Sequence, residues 1–125
     1  SFKIEDLGYL NSMDKLLAAY RNSHVVAVPS HSESFGLVYA EALSQGTPVV
    51  YTKGQGFDGW FEEGSGVCGV NSHDPHDIAG KLRHIWQNYG EFCRQVNKLK
   101  LIFTWDNAAH SHLELYTRAL KVGNT

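Results

Sequence analysis

Two short apolar runs, His24 to Val28 and Pro48 to Thr52, constrain this chain more than any other feature. Neither alternates polar with apolar residues. A run of that kind suits a parallel strand covered on both faces. Between them, Gly36 to Gln45 reads as a helix stopped by Gly46. Strand, helix and strand in that order call for a crossover connection and a parallel sheet. Phe2 to Leu7 reads as a candidate first strand and Gly66 to Val70 as a last one. The expected fold is therefore α/β: a three-layer, Rossmann-like parallel sheet of about four strands with helices on both faces.

The remaining helices follow from spacing and caps. Asn11 or Ser12 can cap a helix carrying Met13, Leu16, Leu17 and Tyr20 at helical intervals. Asp74 caps and Pro75 begins another, with Ile78, Leu82, Ile85 and Tyr89 inward. Gly90 is expected to break it. Phe92, Val96 and Leu99 make the next stripe, and Ala109, Leu113, Tyr116 and Leu120 the last. The glycines at 54, 56, 59, 64, 66 and 69 mark a flexible, turning connection around Trp60 and Phe61.

In a parallel sheet, ligands bind beyond the carboxyl ends of the strands. Residues Pro29 to Phe35 leave one such end, and they open Pro29 to Val50, the most specific stretch of the chain. Glu33 and Glu41 bracket a Phe35-Gly36-Leu37 turn that opens the helix. The helix tip offers unpaired N–H groups and the positive end of the dipole to an anion. Gly36 lets a phosphate approach the backbone. Glu41 lies a rise of roughly 7–8 Å into the helix, at about 1.5 Å per residue. Its side chain tilts back toward the tip. A ribose attached to a phosphate at the tip would fall within its reach. A carboxylate repels a diphosphate, so Glu33 and Glu41 should each face hydroxyls.

Composition narrows the partners. A chain of 125 residues is one domain, long enough for a core. The net charge of −2, with no Lys/Arg block, leaves no electrostatic footprint for nucleic acid. The apolar runs are too short to span a membrane. Cys68 and Cys93 have neither metal nor redox spacing, so a reducing cytoplasm is expected. Simpler readings compete at several residues. Ser30-His31-Ser32-Glu33 matches a capping box, in which Glu33 only caps a turn. His73-Asp74-Pro75-His76-Asp77 is rich in ligand atoms, but helix-start chemistry accounts for Asp74 and Pro75, and no metal is expected. Of the three tryptophans, Trp60 is the site-edge candidate, Trp86 a packing-edge residue and Trp105 an anchor for the last helix.

The central stretch resembles the donor-binding motif of the retaining family 4 glycosyltransferases, which have the GT-B fold. Residues Pro29, Ser30, Glu33, Phe35, Gly36, Leu37, Glu41, Ala42, Leu43, Gly46, Pro48, Val49 and Val50 match it. Weaker similarity takes in Leu7-Gly8-Tyr9, Gly54-Gln55-Gly56, Gly69-Val70 and Phe103-Thr104-Trp105. The resemblance implies that Glu33 is the catalytic-site residue that binds donor-sugar hydroxyls. It places Ser34, Phe35, Gly36 and Leu37 on sugar and phosphate oxygens and Glu41 on the ribose. It puts the Gly8-Tyr9-Leu10 turn near the nucleobase. The family pattern requires neither metal nor cofactor.

The same resemblance implies that residues 1–125 are one partial domain, the C-terminal, donor-binding part of a larger enzyme. The family's Arg and Lys on the diphosphate match nothing here, and an acceptor glycan or lipid would be held by an N-terminal domain. The expected reaction of the intact enzyme is transfer of a glycosyl group from a nucleotide-diphosphate sugar to an acceptor hydroxyl. The isolated chain is expected to be inactive. The alternatives are a non-catalytic remnant serving as a binding or interaction module and, less well fitted by the paired glutamates, half of a sugar-nucleotide epimerase. If strands are lacking, either the Phe2 strand closes against the His24 strand or an open edge recruits a second copy. A homodimer through the Phe2 strand or the Ser12 helix is the expectation.

Overall fold

The computed structural model describes residues 3–102 and 105–122, without the side chains of residues 105, 108, 112 and 122. The elements run α1 (Met13–Arg21), β1 (Val26–Ala27), α2 (Leu37–Ser44), β2 (Val49–Thr52), β3 (Val67–Val70), α3 (Pro75–Gln87), α4 (Tyr89–Lys100) and α5 (Trp105–Val122). The sheet is parallel in the order β1-β2-β3, with Val26 opposite Val49 and Val49 opposite Val67.

All residues of β2 and β3 are buried, as strands covered on both faces must be. Successive side chains point to opposite faces. Val49, Tyr51 and Val67 join Tyr20, Tyr39, Ala42 and Leu43 in one core layer beneath α1 and α2. Val50, Cys68 and Val70 join Ile85 and Phe92 in a second layer beneath α3. Helix α4 sends Phe92 to one layer and Val96 to the other. Val96 packs on Gly66 at the start of β3, so α4 closes the amino end of the sheet. The carboxyl end is left to the loops.

The caps follow the sequence closely. The Ser12 hydroxyl accepts from Lys15 N–H, and the Asp74 carboxylate accepts from His76 and Asp77 N–H with Pro75 in the first turn. Gly36 and Gln45 flank α2.

The structure departs from expectation in four places. Among the described residues the sheet has three strands, and residues 3–11 form no strand. Ile4 and Tyr9 are each 93% exposed, so this segment buries too little apolar surface to hold a strand. Phe2 itself lies outside the described residues. The break between α3 and α4 falls at Asn88, whose side chain bonds back to the His84 carbonyl, and Gly90 sits inside α4. Glycine lowers helix stability without forbidding it. The expected inward stripe of α5 is open: Leu113, Tyr116 and Leu120 are all exposed. Trp105 opens that helix, but its side chain, like Phe103 and Thr104, lies outside the described residues. Finally, residues 53–66 are anchored rather than loose. Phe57 is buried among Tyr39, Tyr51 and Phe61.

Candidate functional site

Residues 28–36 leave β1 at the carboxyl end of the sheet and lead into α2. Each turn of this loop is pinned by a side chain from below. The Tyr39 hydroxyl donates to the Val28 carbonyl, and the Thr52 hydroxyl donates to the Ser30 carbonyl over 2.7 Å. Glu33 N–H donates to the Gln55 side-chain carbonyl over 3.0 Å. Gln55 comes from the glycine-rich connection, whose Gly56 lies directly against the Ser34 carbonyl. Asp58 holds that connection in shape, accepting from Gly54 N–H at 2.7 Å and from the Tyr51 hydroxyl at 3.0 Å.

The charge states follow from these contacts. The Gly54 N–H, chiefly, holds the Asp58 carboxyl below its ordinary value, with the Tyr51 hydroxyl assisting. The stabilisation from that shift is present above the ordinary value of 3.8 and is lost as pH falls through the lowered one. Burial, then the Asp58 hydrogen bond, raises the Tyr51 phenol. Burial, then the nearby Glu33 charge, raises the Tyr39 phenol.

The tip of α2 is formed by Gly36 in the left-handed region at φ +79°, with no side-chain cap and no acidic residue in the first turn. Among the described residues, none accepts from the backbone N–H of Phe35, Gly36, Leu37 or Val38. Four such groups at the positive end of a helix suit an anion. Glu33 is half-buried beside the tip, and its carboxylate accepts from Ser34 N–H at 3.1 Å. The reciprocal capping-box bond is not made, because Ser30 N–H donates to the Val28 carbonyl. One Glu33 oxygen and the spare lone pairs of the other remain for hydroxyl donors. Glu41 is half-buried on α2, and its carboxylate accepts from the Tyr20 hydroxyl over 2.9 Å.

An aromatic rim borders the loop. Phe35 and Trp60 meet edge to face at 5.7 Å, and the Trp60 indole N–H donates to the Gly56 carbonyl. Trp60 thus stands beside the motif, and Leu37 is exposed on the same helix tip. His31 stacks on His73 at 4.3 Å and its ring bonds the Ser72 hydroxyl, so the histidine-rich stretch faces the motif loop. Among the described residues no three His, Cys, Asp or Glu side chains converge on a metal position. Gly8, Tyr9 and Leu10 lie in the irregular segment before α1, with Gly8 N–H on the Asp6 carboxylate. The sequence assigns no supporting role to Tyr20, nor to Gln55 beyond the weak Gly54-Gln55-Gly56 similarity. Helical spacing shows Tyr20 only as an apolar stripe residue; a tyrosine in place of phenylalanine at a buried position is the signal for more, since a buried hydroxyl needs a partner.

The family model for glycosyl transferases group 1 matches residues 3–100. The chain belongs to that family. A D-inositol 3-phosphate glycosyltransferase of Mycolicibacterium vanbaalenii is 38% identical over 110 residues, covering 87% of this chain and 24% of that protein. One of Xylanimonas cellulosilytica is 41% identical over 106 residues, covering 82% of this chain and 25% of that protein. The chain therefore spans about a quarter of the length of the curated relatives it matches. A sucrose-phosphate synthase from Thermosynechococcus elongatus superposes with a TM-score of 0.65 at 25% identity, over 87% of this chain and 28% of that one. The α/β, Rossmann-like fold of the GT-B kind is accordingly that of a glycosyltransferase domain. Among the described residues no helix is long and apolar enough to cross a membrane.

Proposed function

We propose that residues 1–125 are one partial domain carrying the donor half-site of a retaining, cytoplasmic glycosyltransferase. The α2 tip takes the diphosphate of a nucleotide-diphosphate sugar through the N–H groups near Phe35, Gly36 and Leu37. Glu41 accepts from the ribose hydroxyls. Glu33, with Ser34 beside it, faces the donor sugar and is the catalytic-site carboxylate. The Gly8-Tyr9-Leu10 turn lies on the nucleobase side. The acceptor, a glycan or lipid, is held elsewhere. One observation carries the reading: the half-buried Glu33 carboxylate stands beside a helix tip whose N–H groups have no acceptor among the described residues, and a second half-buried carboxylate, Glu41, lies further along the same helix.

The site as described meets the diphosphate with the helix dipole and N–H groups. The dipole contributes about 0.3–2 kcal/mol, so millimolar affinity is expected of the isolated chain. Ligand-observed NMR with UDP-, GDP- and ADP-sugars measures it. Glu41→Ala should weaken binding at least about tenfold, the weight of a hydrogen bond to a charged group. Unchanged binding removes Glu41 from the site. Assembly is a separate matter. Nothing among the described residues pairs with the outer side of β1, where Ala27 is exposed. Because residues 3–11 form no strand, the contact expected at the Phe2 strand passes to this edge: a homodimer across it is expected in sedimentation at micromolar concentration, and a monomer there rejects it.

A further inference from the structure

Tyr20 lies in the last turn of α1 with only 8% of its surface exposed. Its hydroxyl donates to Glu41 Oε2 over 2.9 Å, across to α2. Its backbone carbonyl accepts from the Thr47 hydroxyl at 2.7 Å and from Ser23 N–H at 3.0 Å. Thr47 is itself buried, just beyond the other end of α2. Residue 20 is thus fixed by its main chain, and its side chain reaches one carboxylate oxygen. Among the described residues no other donor meets the Glu41 carboxylate.

We propose that Tyr20 is a positioning residue that makes this site selective for ribose over 2′-deoxyribose, by locking the Glu41 carboxylate in the orientation that accepts a vicinal diol. The inference rests on the ribose-binding role given to Glu41 above. A glutamate side chain on a helix samples several rotamers, and binding two hydroxyls at once requires one of them. The phenol selects that rotamer before the ligand arrives, so the ordering cost is not met at binding. It occupies one lone pair of Oε2. The other lone pair of Oε2 and both of Oε1 remain as acceptors. A 2′-deoxy sugar then leaves one pre-aimed acceptor without its donor, and such a vacancy discriminates strongly. Burial, then the Glu41 hydrogen bond, pushes the phenol up to about 12, so it stays a donor throughout the physiological range.

The test compares nucleoside diphosphates with their 2′-deoxy forms (UDP, GDP and ADP against dUDP, dGDP and dADP) on the 125-residue chain by ligand-observed NMR. The wild-type chain should prefer the ribose form by about tenfold, and Tyr20→Phe should reduce the preference to within about twofold. A merely structural role would weaken both forms alike and leave the ratio unchanged, and that result overturns the proposal. In a Glu41→Gln background, Tyr20→Phe should no longer alter the ratio; a persisting effect also overturns it. If Tyr20→Phe does not fold, the Tyr20 ring-carbon resonance of the wild-type chain decides. It should move with the ribose ligand and not with the deoxy one, and equal movement rejects the proposal. A wild-type chain that binds both forms equally, or binds neither, refutes the ribose role of Glu41 itself, and the inference falls with it.

Discussion

Gly56→Ala is expected to destabilise the chain by about 3 kcal/mol or more, beyond the usual cost of overpacking. A Cβ at position 56 would stand 1.5 Å from the Ser34 carbonyl oxygen and 2.5 Å from its carbon. Both are backbone atoms, so no side chain can swing aside. Either the motif loop or the glycine-rich connection must move. Moving the connection withdraws Gln55, whose side chain accepts from Glu33 N–H, and Trp60, whose indole donates to the Gly56 carbonyl. The motif loop therefore loses its lateral support along with its shape. Urea unfolding gives the stability loss, and Trp60 fluorescence should report the displaced rim. Nucleoside diphosphate binding should disappear, although residue 56 bears no ligand group. A variant with wild-type stability would show that the two loops do not touch.

Much of this support was unreadable in the sequence. The strands β2 and β3 and the helix α2 were legible because continuous apolar runs and flanking glycines act locally. The caps at Ser12 and Asp74 were legible for the same reason. Glu33 and Glu41 stand out as a pair because their spacing about one glycine is a local pattern too; that they serve one site is the proposal made of them. The glycine-rich connection was not. Its composition suggests mobility, but Phe57 fills the core and Asp58 ties the chain to Tyr51. Those are contacts between segments, and only the fold decides them. The Tyr20–Glu41 hydrogen bond spans 21 residues and is of the same kind. Conversely, helical spacing predicted a buried face on α5, while Leu113, Tyr116 and Leu120 are exposed. Periodicity shows which face of a helix is apolar, not what meets it.

Gly36→Ala should be nearly as costly as Gly56→Ala, for two separable reasons. The residue has φ +79°, where a side chain costs roughly 1–2 kcal/mol. Its Cβ would also stand 2.4 Å from two ring carbons of Tyr39. That ring cannot yield easily. Tyr39 is 1% exposed, packs on Phe57 at 4.9 Å and donates its hydroxyl to the Val28 carbonyl. Overpacking against a fixed ring adds about 1–3 kcal/mol. Gly46→Ala separates the two costs, since φ there is +84° and the nearest atom to an added Cβ is a side-chain oxygen of Asn97 at 3.4 Å. Urea unfolding of both variants should show Gly36→Ala losing more stability than Gly46→Ala, by about that overpacking term. Gly36→Asn tests the same point. Asparagine tolerates the left-handed region better than alanine but carries the same Cβ, so it should rescue little. Equal losses at positions 36 and 46 would mean that Tyr39 gives way, and that the tip of α2 is not held rigid from beneath. Binding completes the argument. Gly46→Ala should keep the affinity for nucleoside diphosphates, because α2 ends there, whereas Gly36→Ala should abolish it by tilting the N–H groups proposed to meet the anion.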